Sequence, residues 1–555
     1  MRPLDWIVLA ATLIFIIGYG LAKSRGSNTV NKYLLAGKTM PWYAMALSIM
    51  ATQASAITFI STTGQAYVDG MRFVQFYLGL PIAMVILAAT TVPIFHRANV
   101  YTAYEYLEQR FDAKTRALVS GIFLIQRGLG VGFALAAPAI VLTAILGWPD
   151  RLTIFAMGGI VIVYTVVGGV KAITWTDVQQ MLIIFVGLLT ALGTAIWLLP
   201  PELSFLDAVR VAGAAGRLNA IDLSFDLKDP YTLWSGLLGG TFLFLSYFGT
   251  DQSQVQRYLT GRSIAQSRLS LLFNAVAKIP MQFVILFTGA MVFVFYIYVQ
   301  PPLLFVQTDL KRIQNVPALA SVQESHQQAF ERRKQAVTDY LRARRASDEE
   351  AAGRSVAGYR AAQQDLDGAR ARAAELAGGV NDTNYIFLSF VTRYMPAGIV
   401  GLVLAAILAA AMSSTSAEIN SLATVSVIDI YKRHVVRTGS DRHYLWASRA
   451  FTAFWGCYAV AFAQYGKNLG SLVVAVNKVG SLFYGAMLGV FVLAFAFPRV
   501  RGTAAFVGVL AGEAAILSVH QWTEVSFLWY NAVGCLVSVG VGLLGSMLQR
   551  QAATE

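Results

Sequence analysis

Charge is scarce in this chain. Aspartate, glutamate, lysine and arginine make up 13% of the 555 residues, while hydrophobic residues make up 56%. A soluble globular chain carries about 25% charge, so the deficit excludes an ordinary cytosolic enzyme and points to a protein of the bilayer. Cysteine is scarcer still. Cys457 and Cys535 each lie in an apolar run and can form neither a disulfide framework nor a thiolate metal cluster. Among the five histidines none is paired at helical spacing within an apolar run, which removes the usual signature of a zinc enzyme.

What the sequence does hold is length without charge. Its apolar runs are too long for the alternating strands of a membrane barrel. A sliding window of about 19 residues yields thirteen candidate spans, starting near Asp5, Pro41, Met71, Ala117, Leu152, Ile173, Thr232, Ile264, Ala397, Tyr444, Asn468, Thr503 and Ser526. The first follows Arg2 but lacks a small-residue cleavage site, so it reads as an uncleaved span rather than a signal peptide. Thirteen spans place the termini on opposite sides. With the N-terminus outside, 20 lysines and arginines fall in cytoplasmic loops, Arg25, Lys171, Arg257 and Arg262 among them. Only eight, Lys467 included, fall on the other side outside one long insert. Basic residues are retained in the cytoplasm, so the expected orientation is N-out, C-in, in a plasma membrane and most simply a bacterial inner membrane. The formal charge of +13 is thereby a topology signal, and nucleic acid drops out as a partner.

The insert, residues 301–384, carries 12 basic and 11 acidic residues. Its composition predicts helices over 316–345 and 347–377, the second capped within Ser347-Asp348-Glu349-Glu350 and stopped by Gly378-Gly379. An autonomous helical hairpin projecting outside the membrane as a spacer is the expected form. The chain then divides into a first span and cytoplasmic loop (1–39), a first repeat (40–200), a second repeat (201–300 and 385–497), the insert, and two C-terminal spans (498–555).

Polar residues within spans are the informative ones, because each costs free energy to bury. The charged set is Arg127, Asp177, Asp251, Lys278, Glu418, Lys478 and Glu513. Two spans read as broken helices. The second has Ala51-Thr52-Gln53-Ala54-Ser55-Ala56-Ile57-Thr58 at mid-membrane, and the seventh has Tyr247-Phe248-Gly249-Thr250-Asp251-Gln252. Paired breaks that open two halves of a chain point to an inverted-repeat transporter, with exposed carbonyls serving as ligands. The ninth span adds Met412-Ser413-Ser414-Thr415-Ser416 and then Glu418. Sodium is a hard ion that favours neutral hydroxyl and carbonyl oxygens, which Ser413, Ser414 and the broken second span can supply. Close packing of small residues is the alternative reading of that stretch.

These stretches, together with Leu35-Ala36-Gly37-Lys38, Thr102 to Glu108, Gly168 to Gln180, Gln256-Arg257-Tyr258-Leu259 and Ala410 to Tyr431, resemble the sodium/solute symporters, which include sugar, proline, sialate, iodide and monocarboxylate-vitamin carriers. The resemblance covers residues 35 to 500 apart from the insert. It implies an all-α polytopic membrane protein with a LeuT-like 5+5 inverted repeat and about 13 transmembrane helices. It implies a sodium site from the carbonyls of Ala51, Ala54 and Ala410 and the hydroxyls of Ser413 and Ser414. A second sodium or an exit path would involve Asp177 and Ser416, with Glu418 substituting for the hydroxyl that Ala417 lacks. Substrate contacts carry over to Gln53, Thr58, Tyr77, Arg127, Asp251 and Lys278. Tyr77 and Thr58 stand where galactose carriers have an acid and a glutamine, so the galactose pattern is broken. Arg127 suits a carboxylate.

The expected function is sodium-coupled import of a small polar organic solute, a sugar or sugar acid first, a monocarboxylate, vitamin or amino acid second. Sodium is the coupling ion and no cofactor is expected. The solute, sodium and the bilayer are the expected partners, with the oligomeric state open. A proton-coupled or uncoupled carrier and a transport-inactive solute sensor remain the other readings.

Overall fold

The computed structural model describes every residue except 24, 25, 27, 148, 465–471 and 552–555. Arg25, Lys467 and the expected start of the eleventh span at Asn468 therefore lie outside the described residues. Among those described, helices account for the regular structure, with one isolated bridge between Met40 and Gly261.

A first helix, α1 (Pro3–Lys23), precedes the first repeat. That repeat opens on α2 (Trp42–Gln53) and α3 (Ala56–Asp69), two halves of one span interrupted at Ala54-Ser55. A 3₁₀ segment and α4 (Leu80–Ala89) follow, then α5 (Ala113–Leu146) and α6 (Asp150–Trp197). The second repeat opens the same way, on α7 (Gly240–Gly249) and α8 (Gln252–Leu259), and continues through α9 (Ile264–Tyr298). The insert forms α10 (Ala318–Arg345) and α11 (Glu349–Leu376). Then come α12 (Ile399–Val425), α13 (Asp441–Ala463) and α14 (Leu472–Ala496), which complete the second repeat. Two last helices are α15 (Gly502–Trp522) and α16 (Phe527–Gln551).

Nine described stretches are long and apolar enough to cross a membrane. They are fewer than the thirteen expected segments in part because α6 carries two of them end to end. The division falls at Gly169, whose φ of 58° and ψ of −165° belong to a region only glycine enters without strain. The space is also taken: a Cβ there would lie 2.6 Å from the Tyr33 carbonyl oxygen. Lipid-facing flanks stay apolar, as Ile14, Leu189 and Val276 show by their exposure.

Side-chain capping fixes the starts of α5 and α8. Asp112 starts α5 by accepting from the Thr115 amide at 2.9 Å, and Asp251 starts α8 by accepting from the Ser253 amide at 2.9 Å. Most of the core is one large apolar cluster with smaller ones beside it, and α12 is almost wholly buried against α6, α5 and α1.

The hairpin departs from expectation in posture. Its second helix is capped by Asp348, which accepts from the Ala351 amide at 2.9 Å, and Ser347 supplies a left-handed turn residue instead. Rather than projecting as an independent spacer, the hairpin lies down on the transmembrane core. Arg333 donates to the Tyr296 carbonyl at 2.5 Å at the end of α9, and Arg345 reaches Asp207 at 2.9 Å from the hairpin tip. Val337, Leu341 and Tyr359 belong to the main apolar cluster. The reason is visible in the sequence of α10: an apolar stripe at Val322, Ala329, Phe330, Val337 and Leu341 recurs at helical spacing, wide enough to bury one face on α11 and the core.

Candidate functional site

The first break, α5, α7, α12 and α14 border one cavity of about 110 Å³. Thr52, Gln53, Ser55 and Thr58 reach it from the first break, Ser414 and Glu418 from α12, Arg127 from α5, and Tyr77, Tyr247 and Tyr484 from the outer walls. A helix end leaves its last carbonyls without intrahelical donors, so the last turn of α2, which holds Ala51, is a source of free oxygens, and Thr52 and Gln53 of that turn line the same cavity as Ser414. Ala54 caps that turn, its amide bonded to the Met50 carbonyl at 2.8 Å.

Ser414 bonds the carbonyls of Ala410 and Ala411 at 3.2 Å each, within its own helix. Both serines are thus held in place by the fold, but in different ways. Ser413 donates to Asp177 Oδ1 at 2.6 Å while Ser48 of α2 donates to Oδ2 at 2.5 Å. Asp177 of α6 therefore clamps α2, the first half of the broken span, to α12. Arg257 of α8 interacts electrostatically with Asp177 and is fully buried, its guanidinium without a hydrogen-bond partner among the described residues. The loop position that the charge pattern assigned to Arg257 is corrected here. The half-helix runs on to Leu259, so Arg257 is still inside the fold two residues before that end. Tyr164 of α6 donates to the Met412 carbonyl at 2.8 Å.

Arg127 stands at the centre of a second network. It pairs with Asp251, bonds Glu418 Oε1 at 2.9 Å and donates to the Tyr484 hydroxyl at 2.7 Å. That hydroxyl in turn donates to Asp251 at 3.0 Å, and the guanidinium lies 5.6 Å from the centre of the Tyr247 ring. Asp251 is fully buried behind Arg127 and does not line the cavity. Glu418 Oε2 is buried and has no partner among the described residues. Glu418 thus faces Arg127 and not Asp177. Its direction on the helix, about 100° from Ala417, is the reason. Ser416 donates to the Ser413 carbonyl at 3.0 Å.

Lys278 of α9 is buried and also stands apart from the cavity lining. Its ammonium lies 5.8 Å from the centre of the Tyr77 ring and has no hydrogen-bond partner among the described residues. The residues that sequence reasoning passed over are Ser48, Tyr164, Tyr247 and Tyr484. Only Tyr247, next to the break, carried a signal; the others are single polar residues in otherwise apolar helices.

The sequence profile of the Sodium:solute symporter family matches residues 33–307 and 364–512, leaving residues 308–363 of the insert outside it. The chain is 24% identical over 591 residues to the mouse "Sodium-coupled monocarboxylate transporter 2", covering 98% of this chain and 83% of that protein. It is 27% identical to the rabbit "Sodium-dependent multivitamin transporter", covering 98% and 72%, and 26% identical to the human "Sodium-coupled monocarboxylate transporter 1", covering 93% and 73%. A solved structure of a Na+-coupled sialic acid symporter in a substrate-bound outward-open state superposes with a TM-score of 0.77 at 23% identity, covering 99% of this chain and 98% of that one. The chain belongs to the sodium:solute symporter family, and its fold is the LeuT-like inverted repeat. It is an integral membrane protein and a sodium-coupled solute symporter, not an enzyme.

Proposed function

We propose that this member of the sodium:solute symporter family imports a small monocarboxylate that carries a hydroxyl or ammonium donor beside its carboxylate. The carrying observation is the pairing of Arg127 with Glu418 on the wall of a small cavity. Arginine offers a fork of donors suited to a carboxylate. Glu418, with one oxygen unpartnered, offers an acceptor to a donor group on the same solute. A solute with both groups answers both needs, its carboxylate taking the place of Glu418 Oε1 at the guanidinium. That donor fork moves the preference from sugars to carboxylates. The names of the mouse and human relatives accord with that choice.

The coupling ion is assigned to the carbonyls of Ala51, Ala54 and Ala410 with the hydroxyls of Ser413 and Ser414. The set is neutral and hard, as a reversible sodium site requires. Asp177 serves as a positioning residue that fixes Ser413. The topology is assigned as thirteen spans, N-out and C-in, in a plasma membrane, and a bacterial inner membrane fits it. Supporting this, Lys23, Lys171 and Arg262 line one cleft next to the start of α9, whereas Arg217 and the hairpin's Arg333 meet Phe293 and Tyr296 at its far end.

The test is thermal unfolding of the purified protein with sodium against a panel of solutes. The reading expects 2-hydroxy and 2-amino monocarboxylates to stabilise it more than unsubstituted short-chain acids, and hexoses not at all. Stabilisation by hexoses alone would reverse the substrate assignment while leaving sodium coupling intact.

A further inference from the structure

We infer that an open cleft between the end of α1, the start of α2 and the Gly169 bend of α6 binds a phosphate-class anion, supplied in the membrane by an anionic lipid headgroup. The cleft has a volume of about 500 Å³ and is lined by Lys23, Lys171 and Arg262 with Thr39, Tyr43 and Trp175. Its three cations come from three separate places. Lys23 ends α1, Lys171 stands two residues past the Gly169 bend, and Arg262 lies in the turn between α8 and α9. Independent snorkelling of loop residues would not bring them into one concavity. No aspartate or glutamate is among the described lining residues.

Three like charges in one cleft repel, and an anion between them removes that repulsion. The fold also pre-sets their geometry. Arg262 donates from Nε to the Thr39 carbonyl at 2.8 Å, which holds the guanidinium and leaves its two terminal nitrogens for a ligand. The bridge between Met40 and Gly261 and the bond from the Met40 amide to the Thr260 carbonyl at 3.1 Å fix the floor beneath it. Lys23 Nζ lies 5.4 Å from the centre of the Trp175 ring. Two terminal guanidinium nitrogens and two ammonium groups suit an oxyanion with several oxygens.

The surroundings favour the lipid as the source. Tyr43 is 46% exposed at its rim, and Ile14 and Phe15 are exposed farther along α1, an apolar path for acyl chains. Aromatic residues and basic pockets between spans at the cytoplasmic interface are the chemistry by which anionic lipids are held. The inner-leaflet placement rests on the N-out orientation; the anion chemistry does not. Because α2 begins at this cleft with Trp42 and Tyr43 and ends at the first break, a bound headgroup touches the helix whose other end carries Ala51.

The experiment is thermal unfolding of the full chain in a neutral detergent, titrated separately with short-chain phosphatidylglycerol, short-chain phosphatidylcholine and inorganic phosphate. It compares the wild type with Lys171→Gln, Arg262→Gln and their double variant. The expected result is a saturable rise in unfolding temperature with phosphatidylglycerol only, its half-saturating concentration about tenfold higher in each single variant and beyond reach in the double. A rise with inorganic phosphate as large as with phosphatidylglycerol, lost in the same variants, would keep the anion site and assign it a soluble source. Equal responses to both lipids, or a phosphatidylglycerol response unchanged in variants that unfold cooperatively, would overturn the inference. Should the double variant fail to fold, the single variants decide.

Discussion

At the residue scale the two serines of α12 carry different parts of the account. Ser414 is held only by carbonyls of its own helix, so Ser414→Ala removes one proposed sodium ligand and little else. One ligand worth about 1.4 kcal/mol corresponds to about a tenfold rise in half-saturating sodium, measured as sodium-dependent uptake with the substrate KM followed in parallel. An unchanged sodium dependence would remove Ser414 from the site. Ser413 is different, since its hydroxyl is engaged by Asp177, which also holds Ser48. Asp177→Asn leaves one of those two hydroxyls facing an amide nitrogen that cannot accept. We expect sodium activation to weaken in Asp177→Asn, with substrate specificity across a solute panel unmoved, as befits a group acting through Ser413. Glu418→Gln keeps an acceptor toward Arg127 but loses the free carboxylate oxygen. Unsubstituted acids should then gain on 2-hydroxy and 2-amino acids in competition uptake. An unchanged ranking would separate Glu418 from substrate recognition.

At the scale of elements, the breaks were the most legible features. A run of small polar residues inside an apolar span has few explanations, and α2 stops at Gln53 and α7 at Gly249 within the two runs that polarity marks. What the sequence did not disclose is which side chain meets which. Pairing of Arg127 with Glu418 joins helices 291 residues apart, and Arg257 read as a loop cation because its half-helix is too short for a hydropathy window. The hairpin misled for a similar reason, since its balanced charge speaks of solvent and says nothing of the face it buries. Its docking offers a pH test. His326 is buried against Gln300, and burial, with Arg370 and Arg333 nearby, lowers its pKa to about 4. The unfolded or undocked imidazole titrates near 6.5. Docking is therefore at full strength above about pH 6.5 and weakens as pH falls toward about 4, by up to about 3 kcal/mol. Hydrogen exchange of α10 and α11 should rise across that window in the wild type and stay flatter in His326→Gln. The Gly169 bend is the other element-scale device. Gly169→Ala places a methyl against the Tyr33 carbonyl at a φ of 58°, and the cost of about 1–3 kcal/mol from the backbone alone should appear as a lowered unfolding temperature.

At the scale of the whole molecule, the two repeats bring together what neither holds alone. The first contributes the break at Ala54 and the cation Arg127, the second contributes Ser413, Ser414 and Glu418, and the cavity lies between them. Sodium and solute then share neighbours. Glu418 and Ser414 lie one turn apart on α12, so each ligand favours the arrangement that suits the other, and the coupling must be reciprocal. That reciprocity is the central claim. Its most direct measurement is uptake of a labelled 2-hydroxy monocarboxylate into proteoliposomes under an inward sodium gradient, with potassium replacing sodium as the control. The account predicts concentrative uptake with sodium that collapses with potassium and is strongly reduced in both Ser414→Ala and Arg127→Lys. Equal accumulation in sodium and potassium would contradict it.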